Sequence, residues 1–301
     1  MTLHQLFLLI AVADHQSISG AATSLNMAQP TITYQIRLLE KELSHPLLER
    51  KPRGVSLTPE GLVVVQEARK IFELVSNIPN KLSADDTVPR GEVSIGMSPV
   101  SPVSTYHFPK FYRPFRARYP GIHLAVREHQ TTELTEQIRT HQLDMAIVAL
   151  PVTGWQLTME PLWKEKLVVI FPPDMTAKES YHLEELQAYR FVMLKAPFSL
   201  ARSIAIMTQT AGFIPQIAVE VSTMGALIGL VSAGIGISIV PWESIQTWVA
   251  FDAIKVADLT PAQTRTMALI GSKTRKPSLA MELLAKEIRR YAQALDANQD
   301  S

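Results

Sequence analysis

The sequence has 301 residues, 47% hydrophobic and 19% charged, with 29 Lys and Arg against 28 Asp and Glu for a formal net charge of +1. That length suggests about two domains with ample material for a core, and the near-neutral charge does not itself point to a polyanionic partner. There is no cysteine, which excludes disulfides, zinc fingers and thiol catalysis and fits a reducing cytoplasm; no apolar run reaches the ~18 residues of a membrane span, and the N-terminus lacks the pattern of a signal peptide.

Leu3, Leu6, Phe7 and Ile10 fall at i, i+3, i+4, i+7 and predict one buried face of a first helix. Ser17 is a good N-cap for a second helix carrying Ile18, Ala21, Ala22 and Leu25, whose small residues let a neighbour pack close. Asn26-Met27 interrupts. A third helix follows with Ile32, Ile36, Leu39 and Leu43 on its inner side. Pro30 suits its first turn, where a missing N–H costs nothing.

If those four residues face the core, Gln29, Thr33, Arg37, Glu40 and Lys41 face outward. A solvated helix start usually carries Glu and Lys. This one offers amide and hydroxyl groups, the kind that read base edges, where Gln pairs with adenine and Thr touches a thymine methyl. Two short helices with a tight turn, the second exposing such a face, form a helix-turn-helix. "LLERKPRGVSLTPEG" then reads as two short extended pieces around Arg53-Gly54, a wing placed to meet phosphate or minor groove. Residues 1–58 hold five cations, Arg37, Lys41, Arg50, Lys51 and Arg53, against the acids Asp14, Glu40, Glu42 and Glu49. Three of the five cluster in "ERKPRG", and phosphate attraction is local. The expected DNA-binding residues are Gln29, Pro30, Thr31, Thr33, Tyr34 and Arg37, with Arg50 and Arg53 from the wing. Thr31 would serve equally as a cap, and Arg37 as a partner for Glu40.

Residues 1 to about 62 resemble the winged helix-turn-helix of the LysR-type transcriptional regulators, on the stretches "GAATSLNMAQPTITYQIRLLEKEL" and "PLLERKPRGVSLTPEG". The family usually has Gly where Ser44 stands and Phe where Leu48 stands, departures that touch helix termination and packing. Tyr34 occupies a position that varies in the family and bears on which operator is read.

Thr58-Pro59-Glu60 is a helix start, with a cap, a first-turn Pro and an acid near the positive end. Leu62, Val65, Phe72 and Val75 then make a seam of roughly heptad spacing. The resemblance implies that this linker helix pairs two subunits, and Pro79 departs from a straight linker. Residues 83–91, "SADDTVPRG", are polar with Pro and Gly and form the best domain boundary.

Strands and helices alternate afterwards. "EVSIGMS" puts Val93, Ile95 and Met97 on one side of a strand; "FPKFYRPFRARYPG" is a helix with an interior Pro114; "IHLAVRE" is a strand; Thr132 caps a helix to about His141; "LDMAIVAL" is a buried strand. "KLVVIFP", "RFVML", "QIAVEVS", "GISIVP" and "RTMALIG" are further strands, and "SLARSIAIMTQTAGF", "TMGALIGLVSAG" and residues 278–295 further helices. Such alternation over about 210 residues is a doubly wound α/β region, long enough for two subdomains with a cleft between them. "RARYPGIHLAVRE", "LDMAIVALP" and "VSAGIGISIVP" extend the resemblance, which implies a periplasmic-binding-protein-like fold with crossovers near residues 161 and 265.

Open α/β sheets bind ligands past the carboxyl ends of strands. Ser98, Pro99 and Ser101 lie there, as do Thr131 and Thr132; Phe198, Ser199 and Arg202 open one helix and Ser222 and Thr223 another. Each residue alone reads more readily as a helix cap. Together, helix starts at four βα junctions favour a small anion, with Arg202 able to fork a carboxylate. "GIGIS" lacks the third Gly and later acid of a dinucleotide fingerprint, "GSKT" lacks the upstream Gly of a P-loop, and eight His show no metal spacing. No acid is placed to orient His107 near Ser104.

The expected architecture is thus α+β and multidomain: a winged helix-turn-helix over 1–58, a linker helix and hinge over 59–90, and a periplasmic-binding-protein-like α/β domain over 91–301. Its subdomain I would take 91–161 with 266–301, and its subdomain II 162–265. The expected function is a cytoplasmic, non-enzymatic LysR-type regulator without cofactor or metal. Its partners would be double-stranded operator DNA, a small anionic effector, a second copy in a homodimer or homotetramer, and RNA polymerase, with no membrane. A stand-alone small-molecule binding protein accounts for 91–301 but leaves 1–58 idle, and no acid–base pair, nucleophile or metal constellation supports an enzyme using the cleft.

Overall fold

The computed structural model describes residues 1–51, 54–76, 78, 89–154 and 156–299. Arg53 of the wing, Pro79, and residues 83–88 of the expected boundary lie outside them. The chain divides into two compact units, residues 1–86 with 140–142, and residues 87–139 with 143–301.

The first unit holds helices α1 (Leu3–His15), α2 (Ile18–Ser24) and α3 (Gln29–Leu43), strands β1 (Leu48–Lys51) and β2 (Gly54–Leu57), and helix α4 (Pro59–Ser76). Ser17 caps α2, its Oγ accepting from the Gly20 N–H at 3.1 Å. Asn26 takes a left-handed φ of 51° and turns the chain from α2 into α3. α3 buries Ile32, Ile36 and Leu39. β1 and β2 pair antiparallel from Leu48↔Leu57 to Lys51↔Gly54. Gly54 has φ +107°, and a Cβ there would lie 2.4 Å from the Gln16 carbonyl oxygen. That carbonyl accepts from the Val55 N–H at 3.0 Å, so only glycine lets the wing dock on the end of α1.

Two faces differ from the sequence expectation. α1 buries Leu6, Leu8, Leu9 and Val12, while Leu3 and Phe7 are 48% and 43% exposed. The helix is apolar almost all round, so its spacing fits several faces, and packing chooses among them. In α4, Val65 is only 2% exposed and joins Ala68 in the core shared with α1 to α3. Val65 therefore cannot belong to a seam between subunits. The apolar row that α4 leaves outside is Val63, Leu74 and Val75.

The second unit begins with β3 (Arg90–Met97), a single π-helical turn (Val103–His107), α5 (Phe108–Arg118), β4 (Gly121–Glu128), α6 (Thr131–Arg139) and β5 (Met145–Ala149). Strands β6 (Leu157–Phe171), β7 (Ser180–His182), β8 (Arg190–Leu194), helix α7 (Ser199–Thr210), β9 (Gln216–Val221), helix α8 (Met224–Ser232) and β10 (Ser238–Pro241) follow. A short 3-10 turn (Trp242–Ser244), α9 (Gln246–Ala250), the long β11 (Lys255–Ser272) and α10 (Leu279–Gln299) complete it. One sheet runs β10-β6-β11-β5-β3-β4 with β7 on β11, and β8 and β9 form a separate parallel pair. α6 starts at Thr131, with the Leu134 N–H on the Gln130 carbonyl at 2.9 Å, so Gln130 and not Thr132 holds the capping position. It stops at Arg139, and His141 turns the chain with φ 57°.

Two strands are much longer than "KLVVIFP" and "RTMALIG" predict. β6 and β11 pair antiparallel from Leu157↔Ser272 to Phe171↔Lys255, with a bulge between Asp258 and Gln263. Each passes through two separate cores. Trp163 and Met267 pack with Val93, Ile95, Met97, Phe111 and α10, whereas Leu167 to Phe171, Ala257 and Leu259 pack with β8, α7 and α8. The sheet is mixed because β11 runs antiparallel to β5 and β6 while β3 runs parallel to β4 and β5.

Candidate functional site

In the first unit the start of α3 points outward. Gln29, Pro30, Thr31, Tyr34 and Arg37 are exposed, Tyr34 at 60%, and Thr33 is half-buried. Thr33 Oγ1 donates back to the Gln29 carbonyl at 3.0 Å. Ala28 precedes the helix without a side-chain cap, and no acid stands in the first turn. Pro30 has no N–H and the Thr31 N–H donates to the Ala28 carbonyl at 3.0 Å, so this start offers side chains more than backbone donors. An open depression of about 420 Å³ lies beside this start, lined by Ser19, Ala22, Thr23, Asn26, Met27 and Gln29. Its polar rim carries no charge. Thr31 does not cap the helix, and Glu40 turns its Oε1 to the N–H groups of Leu47 and Leu48 at 2.8 and 3.2 Å and makes no ion pair with Arg37 among the described residues.

The wing's charges divide. Lys51 Nζ pairs with Glu49 at 2.8 Å, and Ser56 Oγ donates to the same carboxylate at 2.9 Å. The Lys51 hydrogen bond, then that of Ser56, holds the exposed Glu49 carboxyl below the usual range. Arg37 and Arg50 are exposed and make no ion pair among the described residues. The cationic reach of this surface therefore comes from arginine rather than from Lys51.

In the second unit the structure brings the expected effector residues together in two groups. Parallel pairing of β3 with β4 sets their carboxyl ends side by side, and the His129 N–H donates to the Met97 carbonyl at 3.2 Å. Ser98 and Ser101, both 6% exposed, and the exposed Pro99 thus neighbour half-buried Thr131 and exposed Thr132. Parallel pairing of β8 with β9 does the same for the second group, with the Lys195 N–H on the Val221 carbonyl at 2.9 Å. Phe198, 6% exposed, belongs to the core beneath; Ser199 is half-buried, and Arg202, Ser222 and Thr223 are exposed.

The bland reading holds for part of each group. Ser101 Oγ accepts from the Val103 N–H at 3.3 Å and Thr223 Oγ1 from the Ala226 N–H at 3.2 Å. The start of α6 carries its own acid, Glu133, paired with His129 at 2.9 Å. α7 and α8 have no acid in their first turns, so the anion preference is strongest around Arg202.

Sequence reading missed a buried ionic pair. Glu165 of β6 and Arg265 of β11 are register partners, with Arg265 Nε 2.6 Å from Glu165 Oε2 and side chains 0% and 4% exposed. The signal was present: Glu165 shares strand parity with Trp163 and Leu167, so a charge was bound to point inward. The π-helical turn was missed too. Its last residue, His107, is buried, with Nδ1 2.9 Å from the Tyr291 hydroxyl and its ring 4.7 Å from that of Trp163. Burial, then Lys110, pushes it down to about 4, so the imidazole is neutral.

Comparison with known proteins agrees with both units. Residues 3–62 match the model of the bacterial regulatory helix-turn-helix protein, lysR family, and residues 86–293 that of the LysR substrate binding domain. The HTH-type transcriptional regulator CzcR of Bacillus anthracis is 29% identical over 245 residues, covering 81% of this chain and 82% of that protein. A full-length OxyR variant from Pseudomonas aeruginosa superposes with a TM-score of 0.75 at 27% identity, over 96% of this chain and 95% of that one. Full-length CbnR in complex with its target DNA shares the fold at a TM-score of 0.66 and 23% identity, over 97% and 100% of the two chains. With a helix-turn-helix in one unit and a substrate-binding fold over most of the rest, the chain belongs to the LysR family of transcriptional regulators.

Proposed function

We propose that this regulator places the first turn of α3 in the major groove of operator DNA. There Gln29, Thr31, Thr33, Tyr34 and Arg37 face base edges, with Pro30 shaping the turn, while Arg50 and Arg53 from the wing meet phosphate. The observation that carries this reading is the division of α3, which buries Ile32, Ile36 and Leu39 and exposes an uncapped, uncharged polar start. The apolar row Val63, Leu74 and Val75 on α4 supports a homodimer, since an operator read by two copies is a two-fold object. Family resemblance extends the dimer to a tetramer.

The two groups Ser98–Ser101 with Thr131–Thr132, and Phe198–Arg202 with Ser222–Thr223, form one cleft between subdomains that divide along β6 and β11. It takes a small anionic effector, a carboxylate above all, held by Arg202. The protein acts in the cytoplasm as a regulator and performs no chemistry on the effector; RNA polymerase is the downstream partner. The effector must bind two conformations with different affinity, or nothing is transmitted. A gel shift on the upstream region of its own gene, with and without small carboxylates, tests both halves. Binding without sequence preference at low salt would sink the reading of α3, and carboxylates without effect would sink that of the cleft.

A further inference from the structure

Between the two cores of the second unit lies an ionisable cluster that neither DNA nor an effector accounts for. Glu165 and Arg265 face each other in mid-strand, where β6 and β11 leave one core for the other. One carboxylate oxygen, Glu165 Oε1, and one guanidinium nitrogen, Arg265 Nη2, are buried there without a hydrogen-bond partner. A second carboxyl stands beside them. β10 ends with Pro241 opposite Leu167, and the 3-10 turn that follows it brings Glu243 within electrostatic reach of Glu165. Glu243 Oε2 and Ser244 Oγ are also buried without partners.

Two carboxyls thus share one buried guanidinium. The remaining charged group facing Glu243 is Lys110 of α5, whose Nζ lies 3.3 Å from the ring centroid of Tyr106. From the π-helical turn come Tyr106, whose hydroxyl lies 3.5 Å from Gln246 Nε2, and the neutral His107; from α10 comes Tyr291. Burial holds the Glu243 carboxyl above the usual range; its own backbone N–H opposes this, Glu165 adds to it, and Arg265 and Lys110 oppose it. The π-helical turn belongs to the core of β3 and α10, and the Trp242–Ser244 turn to the core of β8 and α7. Their contact therefore bridges the two halves that an effector would draw together.

We propose that Glu243 is a proton-operated clasp between the two halves of the substrate-binding unit. With its carboxyl protonated, the Trp242–Ser244 turn rests against Tyr106 and the π-helical turn. Ionisation puts a second negative charge beside Glu165 with no further guanidinium to receive it, and the contact loosens. Closure of the unit takes up a proton, and acidification favours the closed form. This rests on the reading that the two halves move against each other, but its test needs neither effector nor DNA, so either can fail without the other.

Trp242 adjoins Glu243 and Trp163 lies in the same cluster, so tryptophan emission with acrylamide quenching reports the contact. In the full-length chain, quenching should rise as pH passes upward through a single midpoint that lies above the ordinary range of glutamate. His107, pushed down to about 4, titrates below it. Glu243→Gln, which keeps the shape and removes the charge, should hold the low-quenching state throughout and abolish the midpoint. Lys110→Met removes an opposing cation and should move the midpoint upward. The clasp is refuted if Glu243→Gln titrates like the parent, if the parent shows no midpoint, or if Lys110→Met leaves the midpoint in place or lowers it.

Discussion

The carboxylate of Glu40, in the last two turns of α3, accepts the backbone N–H of Leu47 at 2.8 Å and of Leu48 at 3.2 Å. A residue of α3 thereby fixes the start of the wing. Hydrogen bonds to a charged acceptor contribute about 1.5–3 kcal/mol. Glu40→Ala should therefore lower the stability of the first unit by about 2 kcal/mol. It should also weaken binding to all DNA alike, because the wing loses its anchor while α3 keeps its reading groups. A full-chain thermal melt, together with affinities for matched and scrambled duplexes, checks both effects. A change in sequence preference would show that Glu40 acts on bases instead.

Reading and holding should separate by residue. Gln29→Ala and Thr33→Ala should each cost about 1–3 kcal/mol on the preferred operator and almost nothing on unrelated duplexes. Arg50→Ala should weaken both equally and reduce the salt slope by about 1. Titrations at several salt concentrations distinguish these outcomes. An unchanged specificity ratio in Gln29→Ala would remove that residue from the reading set.

Ser44 follows α3 with a left-handed φ of 58° and ψ of 24°. Glycine takes that conformation freely, whereas a residue with a Cβ loses about 1–2 kcal/mol. Ser44→Gly should raise stability by about 1 kcal/mol and leave DNA affinity unchanged, as read from a denaturant midpoint and a gel shift.

Arg265→Met should be severe. It leaves the fully buried Glu165 without its partner, a change that costs about 3–5 kcal/mol. The double variant Glu165→Leu with Arg265→Met removes both charges and should recover most of that loss. Equilibrium unfolding of the two variants measures the difference, and equal destabilisation would mean that shape rather than charge matters at this crossing.

Arg202→Ala should lower affinity for small carboxylates by about tenfold or more, the loss of one charge-assisted hydrogen bond of about 1.5–3 kcal/mol. Calorimetric titration of the parent and the variant decides it. Equal affinity would release Arg202 from the cleft and leave the backbone N–H groups at the starts of α7 and α8 as the anion's seat.

Periodicity and caps made much of this protein legible from its residues. Ser17, Asn26, Pro30 and Thr58-Pro59 marked where helices begin and end, because capping and turning are local and need only neighbours in the chain. The inner face of α3 was equally readable, since Ile32, Ile36 and Leu39 leave one choice. α1 was not readable in that way. It is apolar on most sides, and only the packing of α2 and α3 decided that Leu6 and Leu9 turn inward while Phe7 meets the Phe72 ring at 6.1 Å on the outside.

The second unit shows the same division. Strands as short as "RFVML" announce themselves, but the continuity of β6 and β11 across two cores depends on pairings about 100 residues apart, which no window of sequence contains. The meeting of Glu165 and Arg265 follows from those pairings, and the turn after β10 adds Glu243. Strand parity could say that Glu165 points inward; which charge answers it is settled only when β6 and β11 lie in register, and the second carboxyl comes from the turn that β10 leads into. Local physics fixed the elements and their faces, and long-range register fixed which charges had to share one buried place.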